Sequence, residues 1–260
     1  MTSWEEIKFL QKPWIKKTAW VLANLSTLGS ITLGIIGLVY TFIDPEGYAF
    51  WFAKILGICS ILDFADGKLA RISGSKKLAI DIDTIVDSIV FGLLPGVYLG
   101  YRVSKWSIIA GIATGLIYTG TAWYRLYRYT KRDPIDVLYF QGLPSPFAAM
   151  VISCIVIFEG TPEWAVAMST VIVAGFMVSV IPFPSFKGVP SKFDLFWIIS
   201  TTIFFLAFVT FPFNWMIYPT YFIAILMIIY LIAGPSYACL LYTSDAADEG
   251  LGVDLGGRRI

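Results

Sequence analysis

Eight apolar runs follow one another along this chain, near residues 19–42, 48–65, 85–101, 106–124, 146–159, 163–182, 195–212 and 215–234. A helix needs roughly 20 apolar residues to cross the hydrocarbon core of a bilayer. In lipid the backbone must also satisfy its own hydrogen bonds, which favours helices for runs of this length. The expected fold class is therefore all-α, a polytopic membrane helix bundle with about eight transmembrane helices. Composition agrees: 57% of the 260 residues are hydrophobic and 14% charged, against about a quarter charged in a typical soluble domain.

The charges between the runs alternate in sign bias. With the N-terminus inside, inner segments hold Lys8, Lys12, Lys16 and Lys17, then Lys68, Arg71, Lys76 and Lys77. Arg125, Arg128, Lys131, Arg132, Lys187 and Lys192 follow on the same side. The outer side receives Lys54, Arg102 and Lys105 beside Asp44, Glu46, Glu159 and Glu163. This asymmetry predicts an integral, multi-pass protein with both termini cytoplasmic. A net charge of +1 gives no case for a nucleic-acid partner.

The ends read differently from the middle. Residues 1–17 carry charges throughout and lack a cleavable small-residue site, so they do not read as a removed leader. Trp4, Ile7, Leu10 and Trp14 recur at helical spacing between lysines, which predicts an amphipathic interfacial helix ending at Pro13. Residues 18–236 form the expected transmembrane domain. Residues 237–260 turn polar, Gly- and Asp-rich, and resemble translated adaptor sequence; a disordered tail is expected there.

Chemistry is restricted by what is missing. There is no histidine, so acid–base work falls to Asp, Glu, Lys, Tyr or Cys. Cys59, Cys154 and Cys239 show neither metal-ligand spacing nor a disulfide framework, and read as small buried hydrophobes.

Against this background "DFADGKLARISGSKKLAIDIDTIVD", residues 63–87, stands out. Asp63 and Asp66 are three apart and Asp83 and Asp87 four apart, so each pair shares a helix face. Gly67 and Ala70 continue the first face with almost no side chain. A short loop around "SGSKK" would return the chain antiparallel and bring the pairs together. Clustered carboxylates at membrane depth are costly and tend to mark function. Oxygen ligands without His or Cys favour Mg²⁺, Mn²⁺ or Ca²⁺. The bland alternative is a solvated loop whose acids pair with Lys68, Arg71, Lys76 and Lys77. Asp81 fits that description; the paired spacing and adjoining small residues set the other four apart.

The stretch resembles the signature of the CDP-alcohol phosphatidyltransferases, D-x-x-D-G-x-x-A-R, a spacer, then G-x-x-x-D-x-x-x-D. Asp63, Asp66, Gly67, Ala70, Arg71, Asp83 and Asp87 match. The spacer after Arg71 is one residue short, and Ala79 stands where the pattern has Gly. "NLSTLGSITLGIIG" is similar to the family's Asn-and-Thr motif. "DSIVFGLLPG", "YRLYRYT", "FQGLPSPFAA" and "VSVIPFPSFK" resemble segments of the family's phosphatidylserine synthase branch. The likeness runs from residue 24 to residue 187.

The resemblance implies a transferase of phospholipid biosynthesis. It would displace CMP from CDP-diacylglycerol with the hydroxyl of L-serine, giving phosphatidylserine at the cytoplasmic face. It implies two divalent cations, Mg²⁺ or Mn²⁺, held by Asp63, Asp66, Asp83 and Asp87, with Asp87 also taking the alcohol's proton. Gly67 and Ala70 would leave room for the cytidine, and Arg71 would pair with phosphate. Arg128 would hold the serine carboxylate or a lipid phosphate, and Lys187 lies on the same face. For Lys187 a lipid-headgroup anchor is the plainer reading; for Arg128 that anchor weighs equally with a substrate contact, as for Asn24 a helix–helix hydrogen bond does with a contact to an aspartate. "GLPSP" reads as a loop entering a helix near Pro146, and Trp106, Trp123 and Tyr124 as interfacial belt residues. Relatives commonly pair as homodimers. The same chemistry on glycerol phosphate, inositol phosphate or choline is the near alternative. A cation transporter would spread its acids through the membrane depth, and an inactive relative would explain the short spacer.

Overall fold

The computed structural model describes residues 12–44, 48–74, 78–131, 139–158, 160–184, 206, 210, 220–222 and 224–236. The first helix, α1 (Pro13–Ile43), runs 31 residues. Pro13 lies in its first turn, where a missing N–H leaves nothing unsatisfied. The amphipathic segment before it lies outside the described residues, as do Lys187 and the tail from 237. The buried face of α1 is built from small residues, Ala19, Ala23, Ser30, Gly34 and Gly37, and α2 (Tyr48–Ser73) packs along α1. Gly74, at φ +67, begins the turn out of α2.

The chain returns as α3 (Leu78–Asp87), passes directly into a π-helical turn over Ser88–Leu93, and continues as α4 (Leu94–Ser104). In that turn the Leu94 N–H donates to the Ile89 carbonyl, five residues back rather than four. Next comes α5 (Ile108–Thr130), capped by Ser107, whose Oγ accepts from the Ala110 N–H. Glycines let α4 and α5 touch backbone to backbone. A Cβ at Gly115 would stand 2.8 Å from the Gly96 carbonyl, and one at Gly100 3.2 Å from that of Gly111.

Beyond α5 lie β1 (Tyr139–Gln141), α6 (Ser145–Ile157), α7 (Glu163–Val178) and β2 (Pro182–Pro184). β1 and β2 pair antiparallel, with Phe140 opposite Phe183. This short ribbon is a local addition to a fold whose described residues are otherwise mostly helical, in keeping with the all-α expectation. It is two strands wide, so Pro182 and Pro184 sit at an edge that tolerates a missing donor. "GLPSP" enters α6 as expected, with Pro146 in its first turn.

The first six expected runs each coincide with a helix, and residues Thr220–Ser236 are helical in the eighth. Most of the seventh lies outside the described residues. Phe52, Leu56, Phe91, Leu94, Tyr98, Tyr118 and Phe183 are fully buried in one apolar core. Leu28, Ile35, Ile109, Ile112, Leu116 and Ile172 face outward instead. An apolar exterior over an apolar core is what a lipid solvent selects. Among the described residues, Pro13–Ile43 and Ile82–Ser104 are long and apolar enough to cross a bilayer. The molecule is a predominantly helical membrane protein.

Candidate active site

Three helices bring the aspartates to one place. Asp63 and Asp66 lie in the second half of α2, and Asp83 and Asp87 lie in the second half of α3. α1 supplies the link: the Thr27 hydroxyl stands 3.4 Å from Asp66 Oδ2 and 3.2 Å from Asp83 Oδ1. It is also 3.1 Å from the Ala23 carbonyl of its own helix. One hydroxyl proton thus faces three acceptors and can serve one at a time.

Asp87 completes the group, within electrostatic reach of Asp63, Asp66, Asp83 and Arg125. Asp63 and Asp83 in turn act on Asp66. Asp66 is buried, and Asp63, Asp83 and Asp87 are half-buried. Among the described residues, four carboxylates face one guanidinium in a partly dehydrated spot, a setting that a cation would relieve.

The donor set fits a hard divalent cation, which takes six or more oxygens at about 2.0–2.6 Å. Among the described residues no three acidic side chains stand close enough to form a finished cage. The carboxylates are gathered at a distance, with Thr27 between two of them.

Beside the acids the surface is open. A Cβ placed on Gly67 would meet nothing within 4 Å, and Ala70, one turn on, is half-buried. The helix face that carries Asp63 and Asp66 therefore continues into unfilled space. Arg71 belongs to α2 by its backbone, but its side chain lies outside the described residues, as does that of Asp81.

Arg125 is the residue that sequence reasoning passed over. It is buried, its Nη1 donates to Ser145 Oγ at 2.9 Å, and its guanidinium stands 5.9 Å from the Phe140 ring centre. Its Nε is buried without a hydrogen-bond partner. The spacing signal was present, since Arg125 and Arg128 both fall in "YRLYRYT", but only packing separates their tasks. Arg128 turns to the end of α7. Its Nη1 donates to the Val178 carbonyl at 2.9 Å, and its Nη2 to those of Gln141 and Ser179 at 2.8 and 2.9 Å. Those carbonyls end a helix and a strand, where extra donors are wanted. A small cleft is lined by Arg125, Arg128, Tyr129, Phe140 and Gln141. Asn24 bonds back to the Trp20 carbonyl of its own helix. Thr27, three residues on in the same motif, is the one that reaches the aspartates.

A family model described as CDP-alcohol phosphatidyltransferase matches residues 20–181. The chain is 31% identical over 191 residues to a CDP-diacylglycerol–serine O-phosphatidyltransferase of Helicobacter pylori, covering 68% of this chain and 77% of that protein. The same enzyme from a second H. pylori strain is 30% identical over equal shares. One from Mycobacterium leprae is 26% identical over 137 residues, covering 50% of this chain and 44% of the relative.

Proposed function

The chain belongs to the CDP-alcohol phosphatidyltransferase family, and we propose that it makes phosphatidylserine, transferring the phosphatidyl group of CDP-diacylglycerol to the hydroxyl of L-serine with release of CMP. The observation that carries this reading is that Thr27 stands between Asp66 and Asp83, with Asp87 in electrostatic reach of both and of Arg125. The names of the H. pylori relatives support serine as the acceptor.

Asp63, Asp66, Asp83 and Asp87 would hold the divalent cations, Mg²⁺ or Mn²⁺, two per site. When bound, these neutralise the diphosphate and stabilise the departing CMP. Gly67 and Ala70 leave space for the cytidine, and Arg71 pairs with phosphate through its fork. Asp87 accepts the proton of the serine hydroxyl as oxygen attacks the lipid-bearing phosphorus. With no histidine in the chain, a carboxylate is the natural base. Arg125 holds the serine carboxylate: it lies within electrostatic reach of Asp87, Ser145 fixes its orientation, and its Nε still has a proton to donate. Arg128 keeps the α7 end and β1 together beside it, and Lys187 contributes positive charge near lipid headgroups. The bundle has about eight spans, with the site and both termini on the cytoplasmic side. A homodimer is compatible with the outward apolar faces.

The test is CMP release by detergent-solubilised protein with Mn²⁺ or Mg²⁺. L-serine is compared with glycerol 3-phosphate, an inositol phosphate and choline. Release that requires metal and serine is expected. Release with another acceptor would overturn serine, and none with any acceptor would overturn the activity.

A further inference from the structure

Two helices set different demands on one continuous segment. α4 is keyed to α5 by the Gly96–Gly115 and Gly100–Gly111 backbone approaches, which leave its rotation little freedom. α3 must present Asp83 to Thr27 and Asp87 to Asp63 and Asp66. In an unbroken α-helix each residue adds about 100° of rotation, so the facing of α4 would dictate that of α3. The π-helical turn over Ser88–Leu93 lies between them and begins at the residue after Asp87. Its surplus residue turns the carboxylate face by about 100° relative to the apolar face.

Widening a helix displaces carbonyls from the regular i→i+4 ladder, and a displaced buried carbonyl wants another donor. α5 supplies two. Trp123 Nε1 donates to the Ser88 carbonyl at 3.0 Å, and the Thr119 hydroxyl stands 3.4 Å from the Gly92 carbonyl. These carbonyls lie near the two ends of the turn. Gly92 is required by the same contact, since a Cβ there would lie 2.9 Å from Trp123 Nε1. Ser88 Oγ, meanwhile, bonds back to the Thr84 carbonyl at 2.7 Å. Trp123 is half exposed, as a belt tryptophan would be, but its N–H is engaged by the carbonyl of Ser88, the residue after Asp87.

We propose that Trp123, assisted by Thr119, is a positioning residue that holds the π-helical turn and thereby aims Asp83 and Asp87 at the carboxylates of α2. It touches no substrate and acts through Ser88. The inference rests on the reading of Asp87 as a metal-binding base. A residue of the membrane belt alone would lose little when tryptophan becomes phenylalanine, because ring and lipid contact remain.

The experiment compares wild type, Trp123→Phe, Thr119→Val, Gly92→Ala and Asp87→Asn in detergent. Three quantities are read: Mn²⁺ binding by electron paramagnetic resonance, kcat and KM for CDP-diacylglycerol, and thermal unfolding. Trp123→Phe is expected to lower kcat about tenfold and weaken Mn²⁺ binding about fivefold, with KM and the unfolding midpoint nearly unchanged. Thr119→Val should shift the same quantities by less. Gly92→Ala should reproduce the effect of Trp123→Phe, and the double variant should be no worse than either single one. Wild-type kcat and Mn²⁺ binding in Trp123→Phe would overturn the proposal. So would a fall in unfolding temperature alone. If Asp87→Asn keeps normal turnover and Mn²⁺ binding, the reading of the site falls with it. If Asp87→Asn is inactive while Trp123→Phe behaves as wild type, only the positioning role falls.

Discussion

Replacing Thr27 by valine tests the site at its most specific contact. Valine keeps the shape and removes the hydroxyl that stands between Asp66 Oδ2 and Asp83 Oδ1. A hydrogen bond to a charged group contributes about 1.5–3 kcal/mol. The distances of 3.4 and 3.2 Å are long, and the proton is shared with the Ala23 carbonyl, so the low end applies. About 1.4 kcal/mol is a factor of ten in a binding constant. Without the hydroxyl, Asp66 and Asp83 repel each other unscreened and separate, and a cation must gather them before binding. The half-saturating Mn²⁺ concentration should therefore rise about tenfold, while kcat at saturating Mn²⁺ stays within about twofold. Mn²⁺ binding followed by electron paramagnetic resonance, alongside a metal titration of CMP release, reads both. Unchanged metal affinity would refute the idea that Thr27 gathers the carboxylates. Activity lost even at saturating Mn²⁺ would mean that Thr27 does something other than organise a metal site.

Asp87→Asn should abolish turnover and leave metal-dependent binding of CDP-diacylglycerol partly intact; near-normal rates would remove Asp87 as the base. Gly67→Leu should fold normally, because space surrounds the site of its Cβ, yet raise KM for CDP-diacylglycerol at least about tenfold by filling the expected nucleotide space; unchanged kinetics would show that the nucleotide lies elsewhere. Ser145→Ala strips Arg125 of its one hydroxyl partner and should raise KM for serine about fivefold, since a neutral–charged hydrogen bond contributes about 1 kcal/mol or more; an effect on CDP-diacylglycerol alone would move Arg125 away from the acceptor. Gly142→Ala should destabilise by about 2 kcal/mol or more, because φ is +77 and the new methyl would collide with the Met177 carbonyl; an unshifted unfolding midpoint would contradict that.

Much of this arrangement is written in short-range pattern. Helix identity follows from runs of apolar residues, and six of those runs coincide with helices of the described structure. The four paired aspartates follow from spacings of three and four, which put each pair on one face before any tertiary information is used. The residues that failed to announce themselves share a different property: each acts across helices. Thr27 and Asn24 occupy one motif, and nothing local says that one reaches two foreign carboxylates while the other bonds to its own helix. Arg125 and Arg128, three apart, read as equivalent inside cations until packing buries one against Ser145, in electrostatic reach of Asp87, and gives the other to the carbonyls that end α7. The ribbon escaped for the same reason, as its strands are separated by two helices and have three residues each.

The π-helical turn shows why such residues stay hidden. Locally, Ser88–Leu93 is an ordinary apolar helical sequence, and no residue in it demands a fifth-neighbour hydrogen bond. The demand comes from both sides at once. Glycines of α4 and α5 fix the facing of one end, and the carboxylates with Thr27 fix that of the other. A helix with 3.6 residues per turn cannot meet two such constraints unless their separation suits its period. One extra residue per turn absorbs the mismatch, and the Trp123 N–H and Thr119 hydroxyl satisfy carbonyls that the widening displaces. Gly92, Thr119 and Trp123 therefore form one device with the aspartates although none carries charge. Their part is set by which backbone carbonyl finds which donor, and not by charge or titration.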